Sequence, residues 1–157
     1  MNNQKNRKFL VVVDDTTECH RAISYASQCA VRRNWKLTML RVINPTDFKH
    51  LFGVEKIMRK DASDQAKEIL KTLADGVSLE TGLKSELIIR FGETGMEIIK
   101  QIKEDPSICL LVLAAAIESG NPGPLISQFT GSKAGDFPIP ITIIPGNLSE
   151  KNILSLT

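Results

Sequence analysis

Histidine and cysteine are scarce: the 157 residues hold two of the first and three of the second. Cys19, Cys29 and Cys109 are odd in number and show no metal-ligand spacing, so no metal is expected and the thiols fit a reducing cytosol. Cys19 and Cys29 fall on the apolar side of a predicted helix and Cys109 in a predicted strand. There a free cysteine acts as a small buried hydrophobe rather than a reactive thiol. His20 and His50 stand without a nucleophile or carboxylate at any recognisable spacing, and each reads as a surface or loop side chain. An excess of charge of one sign is also lacking. The net charge of +2 is too small to argue for nucleic acid or an anionic membrane as partner. No apolar run approaches the ~20 residues that span a bilayer. The opening residues 1–8 are polar and basic without the apolar stretch of a secretory signal. Repeats and low-complexity segments are absent. So are the patterns Gly-x-x-x-x-Gly-Lys-Ser/Thr, Gly-x-Gly-x-x-Gly and Gly-x-Ser-x-Gly, which sets aside the commonest α/β enzymes. What remains is a cytoplasmic protein of ordinary composition. The expectation is one domain over residues 1–157, with a flexible leader at 1–7 and a C-terminal tail at 146–157.

What is present is a strong alternation of strand and helix signals. The apolar run Phe9-Leu10-Val11-Val12-Val13 stops abruptly at Asp14-Asp15. It reads as a buried parallel strand whose acids sit at the strand-to-helix corner, where open α/β sheets bind ligands. Asp15 and Glu18 have the spacing of a capping box, with Asp15 expected to cap the helix that follows. Cys19, Ala22, Ile23, Ala26, Cys29 and Ala30 form that helix's inner face, and Arg32-Arg33-Asn34 its end. Leu37 to Ile43 is a second strand ended by Asn44-Pro45, and Thr46 to Gly53 a loop carrying Phe48, His50 and Phe52. A long helix follows with Val54, Ile57, Met58, Ala62, Ala66, Ile69, Leu70, Leu73 and Val77 on one face, stopped by Gly82. Leu83 to Phe91 is the third strand. Thr94 and Glu97 again have capping-box spacing, opening a helix through Ile98, Ile99 and Ile102 to Asp105-Pro106. Ile108 to Ala116 is the fourth strand. Ile139 to Ile144 is the fifth, and its bracketing by Pro138, Pro140 and Pro145 places it at an edge or an intersubunit seam. In the tail, Ser149 is a cap and Ile153, Leu154 and Leu156 a packing face. The order predicts a parallel sheet covered on both faces, with right-handed crossovers.

Two places could carry a ligand. Asp14 is either a solvated corner residue or an acceptor for a bound base or ribose. The segment Glu118-Ser119-Gly120-Asn121-Pro122-Gly123-Pro124, with Gly131-Ser132-Lys133 beyond it, is either ordinary turn chemistry or a phosphate cradle. In the second case glycine N–H groups face phosphate oxygens, with the Ser132 hydroxyl and the Lys133 charge added. The stretch from Ile117 to Phe137 is long for a connection, and such loops are more often functional or mobile than idle.

Five pieces in the right order resemble the universal stress protein family. They are Phe9 to Thr16 with its acidic corner, Leu40-Arg41-Val42-Ile43-Asn44-Pro45, Arg90-Phe91-Gly92-Glu93-Thr94, Leu110 to Leu113 with small residues after it, and Pro140 to Ile144. The resemblance implies a flavodoxin-like, Rossmann-like open sheet of five parallel strands in the order 3-2-1-4-5. It also implies a homodimer formed through the last strand, Ile139 to Ile144. Family members that bind ATP carry Gly-x2-Gly-x9-Gly-Ser/Thr after the fourth strand, and this chain departs from that motif. Ala114 and Ile117 stand at the opening positions, and thirteen residues, 118 to 130, precede Gly131-Ser132. Taking Gly120 and Gly123 as the opening pair leaves seven, 124 to 130. By resemblance Asp14 and Val42 contact adenosine, while Gly120, Gly123, Gly131 and Ser132 are the candidates for the phosphates of ATP or another adenine nucleotide. The leading expectation is a stress-response module that binds or senses adenine nucleotide without strong catalysis. The alternatives are a relative that works as a protein-interaction scaffold without nucleotide, and a nucleotide hydrolase acting through Asp14 and Asp15.

Overall fold

In the computed structural model, which describes residues 6–48, 55–118 and 120–157, the first apolar run becomes the central strand. This strand, β1 (Lys8–Val12), pairs in parallel with β2 (Lys36–Ile43) on one side and β4 (Ile108–Ala115) on the other. Val11 lies between Met39 and Val112 in this register. β3 (Ser85–Phe91) extends the sheet beyond β2 and β5 (Ile141–Pro145) beyond β4, giving the order 3-2-1-4-5. The proline-bracketed strand is therefore at an edge, where no second neighbour needs its N–H groups.

Alternation along β1 assigns its side chains to two cores. Phe9, Val11 and Val13 pack with Leu37, Met39 and Val112 beneath α1 (Cys19–Arg33) and α2 (Glu55–Thr81). Ala22, Ala26 and Ala30 recur every fourth residue on α1 and are 0–1% exposed, so no side chain holds that helix away from the sheet. Leu10 and Val12 pack with Leu40, Leu111 and Leu113 on the other face, beneath α3 (Thr94–Glu104) and α4 (Pro124–Thr130). Both faces of the sheet are covered, as the strand–helix alternation predicts.

Ion pairs fasten the periphery. Lys8 Nζ lies 2.6 Å from Glu86 and 2.7 Å from Asp105, joining the starts of β1, β3 and β4. Burial works against the Lys8 charge, but the hydrogen bonds to Asp105 and Glu86 outweigh it and raise its pKa. At the other end of β3, Arg90 bonds Glu97, Gln101 and Glu104, and so clamps α3 to the strand before it. Those bonds, Glu104 first, raise the guanidinium pKa. The Lys100 and Arg90 bonds lower that of Glu97. Ser149 caps α5 (Glu150–Leu156) by accepting from the Asn152 N–H at 3.2 Å.

Several expectations are corrected. Asp15 does not cap α1: the N-cap position is Glu18, without a side-chain cap bond, and Asp15 pairs instead with Arg41. Thr94 does not cap α3. Glu93 does, accepting from the Gly95 and Met96 N–H groups, while Glu97 is held by Arg90 and Lys100. The stretch 117–137 is not all loop, since it holds α4 and a 3-10 turn at Ala134–Asp136. In α5 only Ile153 is buried; Leu154 and Leu156 are 48% and 64% exposed. Cys109 is half-buried rather than fully enclosed. Residues 1–5 of the expected leader, together with His50, Phe52, Val54 and Ser119, lie outside the described residues, as does the side chain of Phe48.

Candidate functional site

The strand ends line two adjoining recesses, a larger and a smaller, divided by Asp14, and a third of about 470 Å³ opens beside them between Asp14–His20 and Glu68–Leu73. β1 ends because Val13, whose N–H still bonds the Leu40 carbonyl at 2.8 Å, is followed by polar turn residues. Asp14 Oδ1 accepts from both the Thr16 N–H, at 3.0 Å, and the Thr16 hydroxyl. This Asx-type turn fixes the corner and leaves the exposed carboxylate beside the strand ends. Asp15 turns the other way, and its Oδ1 accepts from Arg41 Nη2 at 2.7 Å. Arg41 also donates from Nη1 to the Val13 carbonyl at 3.3 Å, so the guanidinium lies across the ends of β1 and β2.

The larger recess, about 240 Å³, lies above β1 and β2. Val12, Val42, Ile69 and Leu125 supply apolar wall, and Asp14, Arg41, Asn44, Gln65 and Thr94 supply polar atoms. α2 contributes Ala62 and Ala66 as well as Gln65 and Ile69, and is held over this end of the sheet by Arg59 stacking 4.2 Å above the Phe91 ring. Clamping of α3 through Arg90 brings Thr94 to the rim.

The smaller recess, about 60 Å³, lies between the end of β4 and the start of α1. Its walls include Thr16, Glu18, Ala114, Pro122 and Gly123. Gly123 precedes α4 with φ +108, a conformation that strains any residue with a Cβ, and it lets the chain enter α4 directly above the strand end. Cys19 is also here, but its thiol donates to the Val12 carbonyl and burial pushes its pKa up to about 11. It therefore stays protonated and is no nucleophile at neutral pH.

The structure thus brings Asp14 and Val42 together at the larger recess, and Asp14 and Gly123 together at the smaller one. Gly120 (φ +80) sits in the exposed turn ahead of Gly123 and lines neither. Gly131 and Ser132 follow the far end of α4, about 10 Å of helix from Gly123, and also line neither. Sequence reasoning missed Arg41, Gln65, Thr94 and Leu125 as site residues. Arg41 had no local signal, because its partner lies in another strand–helix corner. Among the described residues, no group of three or more His, Cys, Asp and Glu side chains is placed to hold a metal ion. No helix among them is long and apolar enough to cross a membrane.

Comparison with known proteins places this arrangement in a family. The family model described as the universal stress protein family matches residues 5–145. The fold is similar to universal stress protein UspA from Lactobacillus plantarum, with a TM-score of 0.71 at 22% identity over 88% of this chain and 97% of that one. It is also similar to a universal stress protein solved in complex with cAMP, with a TM-score of 0.59 at 17% identity over 90% of this chain and 98% of that one. A third similar structure is a family protein from Arabidopsis thaliana with AMP bound (TM-score 0.57, 18% identity, 88% and 91% of the two chains). No match is found among curated proteins. With the family model covering every strand of the sheet and the strand order in agreement, this chain belongs to the universal stress protein family.

Proposed function

We propose that this family member is a cytoplasmic module that binds or senses an adenine nucleotide or nucleoside and performs no strong catalysis. The observation that carries the reading is the larger recess itself, at the carboxyl ends of β1 and β2, with apolar walls at Val42, Ile69 and Leu125 and a carboxylate at its lip. A purine ring is a flat apolar body with polar edges. Val42 and Leu125 suit its faces, while Asn44, Gln65 and Thr94 suit its edge nitrogens. Both hydrogen bonds to Asp14 fall on Oδ1, so Oδ2 can accept from a ribose hydroxyl. Relatives of the same fold hold AMP and cAMP, which supports this chemistry. The three free thiols suit a reducing compartment. Against catalysis stand the pairing of Asp15 with Arg41 and the protonated Cys19 thiol.

Thermal unfolding with adenosine, AMP, cAMP and ATP tests the reading. A ligand at 100 times its Kd stabilises the fold by about 2.7 kcal/mol. For a chain of this length that raises Tm by about 5–10 °C. Absence of a shift with every adenine ligand at millimolar concentration would sink the proposal and favour an interaction scaffold.

A further inference from the structure

We infer that the site selects adenine ligands by how little phosphate they carry, and prefers adenosine to ATP. The inference rests on the adenine reading above and goes beyond it by naming the ligand class. Asp14 lines both recesses, so a ligand with its base in the larger one and its ribose at Asp14 has the smaller one open to its 5′ substituent. Three independent features there oppose a polyphosphate.

The first is charge. Among the described residues, the titratable side chains lining the two recesses, apart from the Cys19 thiol, are Asp14, Asp15, Glu18 and Arg41. Three carboxylates stand against one guanidinium, and the guanidinium is already engaged by Asp15 and the Val13 carbonyl. The Glu18 stem lies against Gly146, where a Cβ would stand 2.6 Å from Glu18 Cγ. Each phosphate charge added to the ligand therefore meets unpaired negative charge at short range.

The second is the backbone. A phosphate cradle needs converging N–H groups. Here the Ala116 N–H bonds the Pro122 carbonyl at 3.0 Å, and the Gly123 N–H bonds Asn121 Oδ1 at 3.1 Å. The Asn121 N–H bonds the Glu118 carbonyl, and Pro122 and Pro124 have none to give. These three N–H groups are engaged within the turn. The third is room. About 60 Å³ corresponds to roughly four to six water positions, so a chain of three phosphoryl groups extends beyond the smaller recess.

Titration calorimetry with adenosine, AMP and ATP, each with and without magnesium, tests this on the full chain. The expected order is adenosine, AMP, ATP, with adenosine at least tenfold tighter than ATP at 0.1 M salt. Because the opposition is electrostatic, the gap narrows at 1 M salt, where the Debye length falls from about 10 Å to about 3 Å. Glu18→Gln moves the adenosine-to-ATP ratio at least threefold toward ATP. ATP binding as tightly as adenosine in either magnesium condition overturns the inference and leaves the adenine reading standing. A tenfold gap that salt does not change overturns its charge basis. Failure of all three ligands to bind overturns both readings.

Discussion

Replacing Phe129 with alanine is expected to cost about 3–5 kcal/mol. The ring is 2% exposed, lies 4.8 Å from that of Phe137, and packs into the same core as Leu10, Leu111 and Ile98. α4 has only seven residues, too few for a helix to persist without tertiary anchors, and is bounded by Gly123 and Gly131. Its anchors are Ile126 and Phe129, the buried residues of this helix. Removing the larger one opens a cavity and frees the helix that carries Leu125 over both recesses. Urea unfolding should show a lower midpoint with an unchanged slope, and thermal unfolding a Tm lower by about 6–20 °C. The shift produced by adenosine should shrink with it. A loss below about 1 kcal/mol would mean that α4 is not part of the core.

Gly146→Ala is the second large effect, expected at about 2–3 kcal/mol, the upper part of the range for overpacking. Gly146 is buried where the chain leaves β5, and a Cβ there would stand 2.2 Å from the Ala115 carbonyl oxygen and 2.6 Å from Glu18 Cγ. A flexible side chain could yield, but a backbone carbonyl at the end of a paired strand cannot yield without breaking the ladder. The same displacement moves Glu18, so this variant should also alter the ratio of adenosine to ATP affinity. A Tm within about 1 °C of the parent protein would show that the turn has slack the structure does not display.

The readable parts of this chain were those governed by local pattern. Phe9 to Val13 announced a strand buried on both faces because neither face carries a polar residue. Prolines around Ile141 forced that strand to the edge, and Gly82 ended α2 as positioned. The strand order came from family resemblance rather than from any residue. The two failed caps share one cause, which is competition from a partner distant in sequence. Asp15 has the spacing of a cap, yet Arg41, arriving from β2, holds it at 2.7 Å and leaves Glu18 at the cap position. Glu97 is likewise drawn off by Arg90 from β3, and Glu93 supplies the cap expected of Thr94. α4 was legible in retrospect: Pro124 suits the first position of a helix, and Ile126 and Phe129 fall three apart on one face. The run Gly-Asn-Pro-Gly-Pro before it is turn chemistry strong enough to mask so short a helix. At the larger recess, Asp14 and Val42 were named from strand ends and resemblance. Gln65, Thr94 and Leu125 were not, because only the folded sheet brings α2, α3 and α4 over the same corner.

The central claim is that an adenine ligand sits at the corner where β1 ends. Backbone amide NMR of the labelled protein titrated with adenosine tests it most directly. The account predicts saturable shifts at Val13, Asp14, Asp15, Val42, Ile43, Gln65 and Leu125, with α5 and the starts of the strands around Lys8 unchanged. Saturation with shifts confined to other surfaces, or no shifts at millimolar adenosine, would contradict it.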